Sequence, residues 1–159
     1  MGASAWGRTS SRVVYENPWI RVREDEVQRP DGEPGIYGVV EVRNPAVFVV
    51  ALTEGDELVL VEVDRYTTGE PSSLEIPAGS TDGEDPLVAA QRELREETGL
   101  VAAYWQEIGR MGALIGVADA PETVYLARDL TYAAGAKHAA DASSRAAILL
   151  ALVASGRLV

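Results

Sequence analysis

The segment from Asp85 to Gly99 carries the signals of both ends of a helix, and it constrains the fold more than any other part of the sequence. Asp85 is a good N-cap, Pro86 suits the first helical position, and Gly99 suits the residue that follows the last turn. Three apolar residues recur at helical spacing between them: Leu87, Ala90 and Leu94. The sequence therefore predicts a helix over residues 86–98 with one face packed on a core.

Strands are predicted on both sides of this helix. β-Branched and aromatic residues, alternation and Gly/Pro turns indicate strands at 12–15, 19–27, 36–43, 46–52 and 57–63, with a hairpin at RPDGEPG (29–35). The run AVFVVAL (46–52) is apolar enough to be buried on both faces. Residues 67–86 read as a long loop with a short strand at 74–76, followed after the helix by strands at 104–109 and 123–127 and a last helix at 139–155.

Composition narrows the class of protein. A length of 159 residues predicts a single domain, 1–159, with a sizeable core. No apolar run approaches the roughly 20 residues of a membrane span, and MGASAWGRTSSR lacks the core of a secretion signal, so a cytoplasmic protein is expected. The absence of cysteine and the single His138 leave oxygen as the ligand for any metal. A net charge of −11 argues against a nucleic-acid partner.

The end of the predicted helix, RELREETGL (92–100), is crowded with acid. At about 100° per residue, Glu93 and Glu97 lie about 40° apart beside the apolar stripe, whereas Glu96 lies farther toward solvent. Glu93 and Glu97 are like charges at i,i+4 with no basic residue at helical spacing, and the last turn disfavours acid. Either this is a solvated acidic face, or the pair binds a hard divalent cation such as Mg²⁺.

The residues around this pair resemble the Nudix hydrolase signature, GX5EX7REUXEEXGU with U a bulky aliphatic residue. From Glu84 to Leu100 every position of the signature is matched. The stretches NPWIRVREDEV, YGVVEV, VDRY and EIPAG resemble the branch that acts on nucleoside-diphosphate sugars and ADP-ribose. The resemblance implies an α/β/α sandwich with a mixed β-sheet between helices. In this fold residues 12–63 would supply N-terminal strands, and residues 77–100 would form the signature loop and helix.

The resemblance also implies roles for individual residues. Glu93 and Glu97 would be the main Mg²⁺ ligands, with Mn²⁺ able to substitute, Glu96 a further or water-mediated ligand, and the Ala78 carbonyl a backbone ligand. These glutamates would be the catalytic group, one of them serving as base. Glu84 and Arg92 would form a supporting ion pair.

Other positions leave alternatives open. Arg65 could bind a substrate phosphate or form a structural ion pair. Trp19 could stack on a base or ring, or simply pack. Glu75 could contact a sugar hydroxyl or a metal-bound water.

Two departures from the signature are visible. Four residues, STDG, separate Gly79 from Glu84 where the signature has five, which could displace the Ala78 carbonyl by an ångström or more. After Leu130 the chain lacks the acidic segment of relatives, which leaves Glu122 and Asp141 as distal acids.

The sequence thus predicts a Mg²⁺-dependent pyrophosphohydrolase, expected as a homodimer, that cleaves ADP-ribose or a nucleoside-diphosphate sugar. The alternatives are a catalytically impaired Nudix-fold module that binds nucleotides or regulates, and a purely structural acidic domain.

Overall fold

The computed structural model describes residues 4–134 and the backbone of residues 151–152. In chain order the elements are β1 (Gly7–Glu16), β2 (Ile20–Gln28), β3 (Pro34–Val42), β4 (Ala46–Ala51), β5 (Glu57–Leu58), β6 (Val61–Arg65), β7 (Glu70–Glu75), β8 (Ala78–Ser80), α1 (Pro86–Thr98), β9 (Leu100–Gly112), β10 (Ala118–Asp119), β11 (Pro121–Tyr132) and β12 (Ala151–Leu152). They form two compact units, the first comprising residues 1–45 with 111–121 and the second 46–110 with 122–159. Within the described ranges no helix is long and apolar enough to cross a membrane.

The first unit is built on a four-stranded sheet in the order β1-β2-β3-β10. β2 pairs antiparallel with β1 and with β3, and the predicted hairpin turn lies between β2 and β3. In that turn Arg29 and Glu33 are joined by a backbone hydrogen bond of 2.9 Å, and Gly32 takes a φ of 87° that favours glycine. β10 adds to β3 in parallel.

The second unit contains a mixed sheet in the order β8-β4-β11-β9. β11 runs parallel to β4 and β8 runs antiparallel to it. One face of β4 is fully buried and the other only half-buried, so the prediction of burial on both faces was wrong for one face. The core of this unit joins the buried face of the sheet to α1, through Val47, Val49, Ala51, Tyr125 and Ala127 on the strands and Ala90 and Leu94 on the helix.

Two smaller pairings complete the second unit. β6 and β7 form an antiparallel hairpin, so the predicted loop at 67–86 contains a strand longer than the predicted 74–76. β7 is poor in β-branched residues, and only its pairing with β6 makes it a strand. β5 pairs with β12. The helix predicted over 139–155 lies outside the described residues except at Ala151 and Leu152, which form β12.

Candidate metal centre

The helix α1 has the bounds that its end signals predict. The Asp85 carboxylate accepts a hydrogen bond of 2.9 Å from the backbone N–H of Leu87, and Gly99 closes the last turn with a φ of 73°. Leu94 and Thr98 are buried almost completely. Because these two anchor the helix to the core, Glu93 and Glu97 are held at the edge of the buried face.

Glu93 lies directly against the backbone of β8. Its side chain is 13% exposed. A Cβ atom added to Gly79 would come within 2.2 Å of the Glu93 Cδ and Oε1 atoms, closer than any real contact. The Glu93 carboxylate therefore occupies the space that any side chain at Gly79 would need.

Glu97 contacts the same strand at the preceding residue. Its Oε2 atom accepts a hydrogen bond of 3.0 Å from the backbone N–H of Ala78. In an extended strand the N–H and C=O of one residue point to the same side, so the Ala78 carbonyl is directed to this edge as well. The edge of β8 thus places a carbonyl oxygen on the side of the Glu97 carboxylate.

Arg92 joins the acidic residues to the loop before α1. Its guanidinium donates to Glu84 Oε2 at 2.9 Å, to Glu93 Oε1 at 2.6 Å, to Glu96 Oε2 at 3.3 Å, and to the Ser80 carbonyl at 2.8 Å. The expectation that Glu93 has no basic partner was therefore wrong. Helical spacing excludes a contact between neighbours, but the long Arg92 side chain reaches past its own turn toward β8, and there it meets Glu93.

The short loop STDG closes as a tight turn. The backbone N–H of Glu84 donates to the Thr81 carbonyl at 2.8 Å. Both central residues, Asp82 and Gly83, have positive φ, at 49° and 85°, as in a type I′ turn. The Ser80 hydroxyl donates to Asp82 Oδ1 at 2.8 Å, which supports the strained backbone of Asp82.

The two central carboxylates carry more negative charge than their surroundings balance. Burial raises the pKa of Glu93 above its ordinary value, against the opposing effect of Arg92. Burial also raises the pKa of Glu97; the Ala78 N–H opposes this, and the charge of Glu93 adds to it. A cation placed between these oxygens would remove the cost of their burial, so the site fits a hard divalent ion.

Glu96 stands apart from this pair. Its side chain is 59% exposed and is held only by the 3.3 Å contact with Arg92. Within residues 4–134 no three acidic or histidine side chains come together as a metal-binding cluster. The structure thus brings Glu93, Glu97 and Ala78 together and leaves Glu96 at the solvent side.

Arg65 and Glu75 form a bidentate ion pair across the β6–β7 hairpin. Arg65 Nε lies 2.8 Å from Glu75 Oε1, and its Nη2 lies 2.5 Å from Oε2. This pair lowers the pKa of Glu75, and both charges also act on Glu97. Arg65 therefore forms the ion pair that was one of its two alternatives, and its charge acts on Glu97.

The remaining predicted residues lie elsewhere. Trp19 belongs to the first unit, where its side chain is 71% exposed and its backbone N–H donates to Asn17 Oδ1 at 2.9 Å. Glu122 lies in β11 opposite Ala46, and Asp141 falls outside the described residues. Sequence reasoning missed two features: the contact of Gly79 with Glu93, and the hydrogen bond from Arg92 to the Ser80 carbonyl. The glycine that opens the signature was the available signal for the first.

Models of known families match most of the chain. The NUDIX domain matches residues 42–136, and the nucleoside diphosphate sugar hydrolase N-terminal domain matches residues 6–40. The chain belongs to the Nudix family. The helix that carries Glu93 and Glu97 is therefore a Nudix helix, in a family that generally uses divalent metal ions.

Individual relatives agree with this assignment. The chain is 37% identical over 76% of its length to an "ADP-ribose pyrophosphatase" of Mycobacterium tuberculosis (strain ATCC 25618 / H37Rv). It is 35% identical over 74% of its length to a "Methanol dehydrogenase activator" of Bacillus methanolicus. The chain spans only 58% and 63% of the length of these two relatives.

A solved structure supports the same fold. The crystal structure of an "ADP compounds hydrolase" superposes with a TM-score of 0.73, covering 83% of this chain and 71% of that one at 22% identity. At this identity the match shows the fold alone. The predicted α/β Nudix fold with a mixed sheet is confirmed.

Proposed function

We propose that this Nudix chain is a Mg²⁺-dependent pyrophosphohydrolase that cleaves a nucleoside diphosphate linked to another group, with ADP-ribose or a nucleoside-diphosphate sugar as substrate. The observation that carries the proposal is the pair Glu93 and Glu97, half-buried at the edge of β8, where burial raises the pKa of both. The name of the mycobacterial relative supports the substrate class.

Each residue has a part in the proposed reaction. Glu93, Glu97 and the Ala78 carbonyl would hold Mg²⁺, or Mn²⁺ in its place. The ion, when bound, neutralises the bridging phosphates and lowers the pKa of a water. Glu96, exposed beside this centre, would take a proton from the attacking water at a carboxylate oxygen or contact the ion through water.

The surroundings of the centre bind and orient. Arg92 fixes Glu93 and joins it to Glu84, so both act as support. Arg65 would donate to a substrate phosphate, with Glu75 holding its guanidinium in a fixed plane. Apart from this centre, Trp19 is exposed in the first unit and would stack on a base or ring across the proposed homodimer. The net charge of −11 disfavours a nucleic-acid partner, so the proposed partner is a small nucleotide, with the cytoplasm as the proposed location.

A homodimer is part of the proposal. The first unit exposes several large apolar side chains, which are Val13, Trp19, Ile36, Leu114, Ile115 and Val117 at 53%, 71%, 70%, 75%, 84% and 54%. Where such side chains form one contiguous patch, they would supply the interface of the homodimer. Light scattering behind size exclusion should give twice the 17.0 kDa of one chain, and a monomer at micromolar concentration would contradict this part of the proposal.

Activity is tested on a panel of ADP-ribose, ADP-glucose, GDP-mannose, NADH and dinucleoside polyphosphates with Mg²⁺ or Mn²⁺. We expect turnover of at least one diphosphate, lost in Glu97→Gln and kept in the control Glu107→Gln, whose side chain pairs with Arg110 on β9 at the surface. Absence of turnover on the whole panel would contradict the enzymatic proposal.

A regulatory module is the second candidate, favoured by the 35% identity to the relative named an activator. Such a module would bind a nucleotide without hydrolysing it. Calorimetry separates the two: a regulatory module binds ligand equally well before and after Glu97→Gln, and neither form releases product.

A further inference from the structure

The second unit contains a groove between α1 and the edge strand β9, with a volume of about 690 Å³. One wall is formed by Gln91, Arg95 and Glu96 of the helix, and the other by Val101 and Trp105 at the start of the strand. A cavity of this size holds a small organic molecule, and sites for such molecules typically combine apolar walls with a few polar groups. The groove between α1 and β9 has both features.

The groove is separate from the metal pair. At about 100° per residue, Arg95 lies about 160° around the helix from both Glu93 and Glu97. Those two carboxylates contact β8 at one edge of the sheet, whereas Arg95 lies beside β9 at the other edge. A molecule in the groove and a diphosphate at the metal centre would therefore occupy opposite sides of α1.

Arg95 is the unusual residue of this groove, because its guanidinium has no acidic partner. Every other arginine from residue 12 to residue 134 forms an ion pair. Arg95 forms neither an ion pair nor a side-chain hydrogen bond within the part of the chain that the structure describes. The last turn of α1 favours a basic residue, but the N–H donors of the guanidinium stay open. Arg95 is therefore available to an anionic ligand.

Trp105 forms the aromatic part of the opposite wall and is held in a fixed orientation. Its Nε1 atom donates to the Ala102 carbonyl at 3.1 Å, and its ring meets the Tyr125 ring edge to face with 6.4 Å between centroids. Tyr125 belongs to the buried core of the unit, so the core keeps the indole in place. A fixed aromatic surface beside a free guanidinium favours a planar ligand that carries an anionic group.

The surrounding charge favours an anionic group with a single charge. Glu96 lies on the same wall as Arg95, with its side chain 59% exposed, and the last turn of α1 carries the negative end of the helix dipole. A phosphate monoester carries about −1.5 to −2 charges at neutral pH and would be repelled by both. A carboxylate carries one charge, and its two oxygens match the guanidinium fork. Gln91, one turn before Arg95, offers a further amide donor.

We propose that the groove between α1 and β9 binds a small planar molecule with one carboxylate, which accepts hydrogen bonds from Arg95 while its ring packs on Trp105. The inference goes beyond the proposed function, since it concerns a second site that needs neither metal nor turnover. Arg92 and Glu96 border the groove, and Arg92 also fixes Glu93, so an occupied groove lies next to the support of the metal centre.

The ligand class is tested by calorimetry on the metal-free full chain. The probes are naphthoate, its neutral counterpart naphthamide, and naphthyl phosphate, all substituted at the same ring carbon. The wild type should bind naphthoate about tenfold more tightly than naphthamide, as expected for one charge-assisted pair, and naphthyl phosphate more weakly than naphthoate. Equal affinity for naphthoate and naphthamide would overturn the proposal. Tighter binding of the phosphate would overturn the assignment to carboxylates.

The variant Arg95→Gln tests the residue that would hold the carboxylate. It removes an exposed guanidinium and should lower the affinity for naphthoate to that for naphthamide. Arg110→Gln is the matched control, because Arg110 lies on β9 outside the groove and pairs with Glu107, so the preference for naphthoate should be unchanged. An unaltered preference in a folded Arg95→Gln variant would overturn the proposal.

A second pair of variants separates charge from bulk. Val101 is 37% exposed and lines the wall opposite Arg95. Val101→Glu places a carboxylate in the groove and should abolish the preference for naphthoate, whereas Val101→Gln adds similar bulk without charge and should keep it. Loss of the preference in both variants would argue that Arg95 does not select the ligand, and would count against the proposal.

Melting curves with Mg²⁺ then relate the groove to the metal centre. A Mg²⁺ response that changes in the presence of naphthoate assigns the groove a regulatory role, and an unchanged response assigns it binding alone. Both results support the site. Absence of any Mg²⁺ response would count against the proposed function alone, because naphthoate binding is measured without metal.

Discussion

Replacing Gly79 with alanine tests whether the position of Glu93 matters for the metal centre. The added Cβ would lie 2.2 Å from Glu93 Cδ and Oε1, whereas ordinary contacts begin at 3.4 Å. The carboxylate must therefore retreat by about 1.2 Å, or β8 must move by a similar amount. Mg²⁺ requires near-ideal geometry, with ligands about 2.0–2.1 Å away, so such a shift would remove Glu93 as a ligand of the proposed centre.

We expect two measurable effects of Gly79→Ala. Misplacement on this scale lowers kcat/KM by about a hundredfold, and the concentration of Mg²⁺ needed for half activity should rise. The free energy of unfolding, measured by chemical denaturation, should change little, because the atoms that must move are the far end of the flexible Glu93 side chain. Gly109→Ala is the matched control, because a Cβ at Gly109 meets nothing within 4 Å. A Gly79→Ala variant with normal activity and Mg²⁺ dependence would refute the reasoning.

Three further predictions concern neighbouring side chains. Arg92→Lys keeps the charge but loses most of four contacts, so chemical denaturation should show about 1–3 kcal/mol less stability; an unchanged midpoint would contradict this. Glu97→Gln removes an acid whose pKa is raised in the folded state, so the melting temperature of the metal-free protein at neutral pH should rise. This gain should shrink as the pH falls through the folded pKa, and Mg²⁺ should no longer raise the melting temperature of the variant. A destabilised variant that still responds to Mg²⁺ would count against the site. Glu75→Gln releases Arg65, so KM should rise several-fold with little change in kcat. If kcat falls as much as kcat/KM, the result would argue against a role of Glu75 in positioning Arg65.

The features that sequence reasoning predicted well are those encoded locally. Asp85 and Gly99 define the ends of α1 through hydrogen bonds to their own neighbours, and no distant residue is needed. The hairpin between β2 and β3 follows from a turn within seven residues, RPDGEPG. Local turn and cap chemistry therefore carried both predictions.

The features that sequence reasoning missed depend on contacts between distant parts of the chain. β10 joins β3, and β11 joins β4, across more than seventy residues, and no pattern within either strand names its partner. The contact of Gly79 with Glu93 is likewise invisible until β8 and α1 are packed together. The angular positions of residues around the helix correctly placed Glu93 at the edge of the core. These positions take no account of side-chain length, so they did not predict the ion pair between Arg92 and Glu93.

The short loop before Glu84 shows how strand register limits the effect of a deletion. Fewer residues between Gly79 and Glu84 were expected to displace the Ala78 carbonyl. However, the pairing of β8 with β4 sets Ala78 opposite Phe48 and continues to Ser80, so that the turn begins only at Thr81. The missing residue is therefore absorbed between Thr81 and Glu84, where positive φ angles at Asp82 and Gly83 tighten the chain. Because the sheet sets the position of Ala78, the Ala78 carbonyl beside Glu97 does not depend on the length of this turn. The length of the turn instead governs how Glu84 meets Arg92.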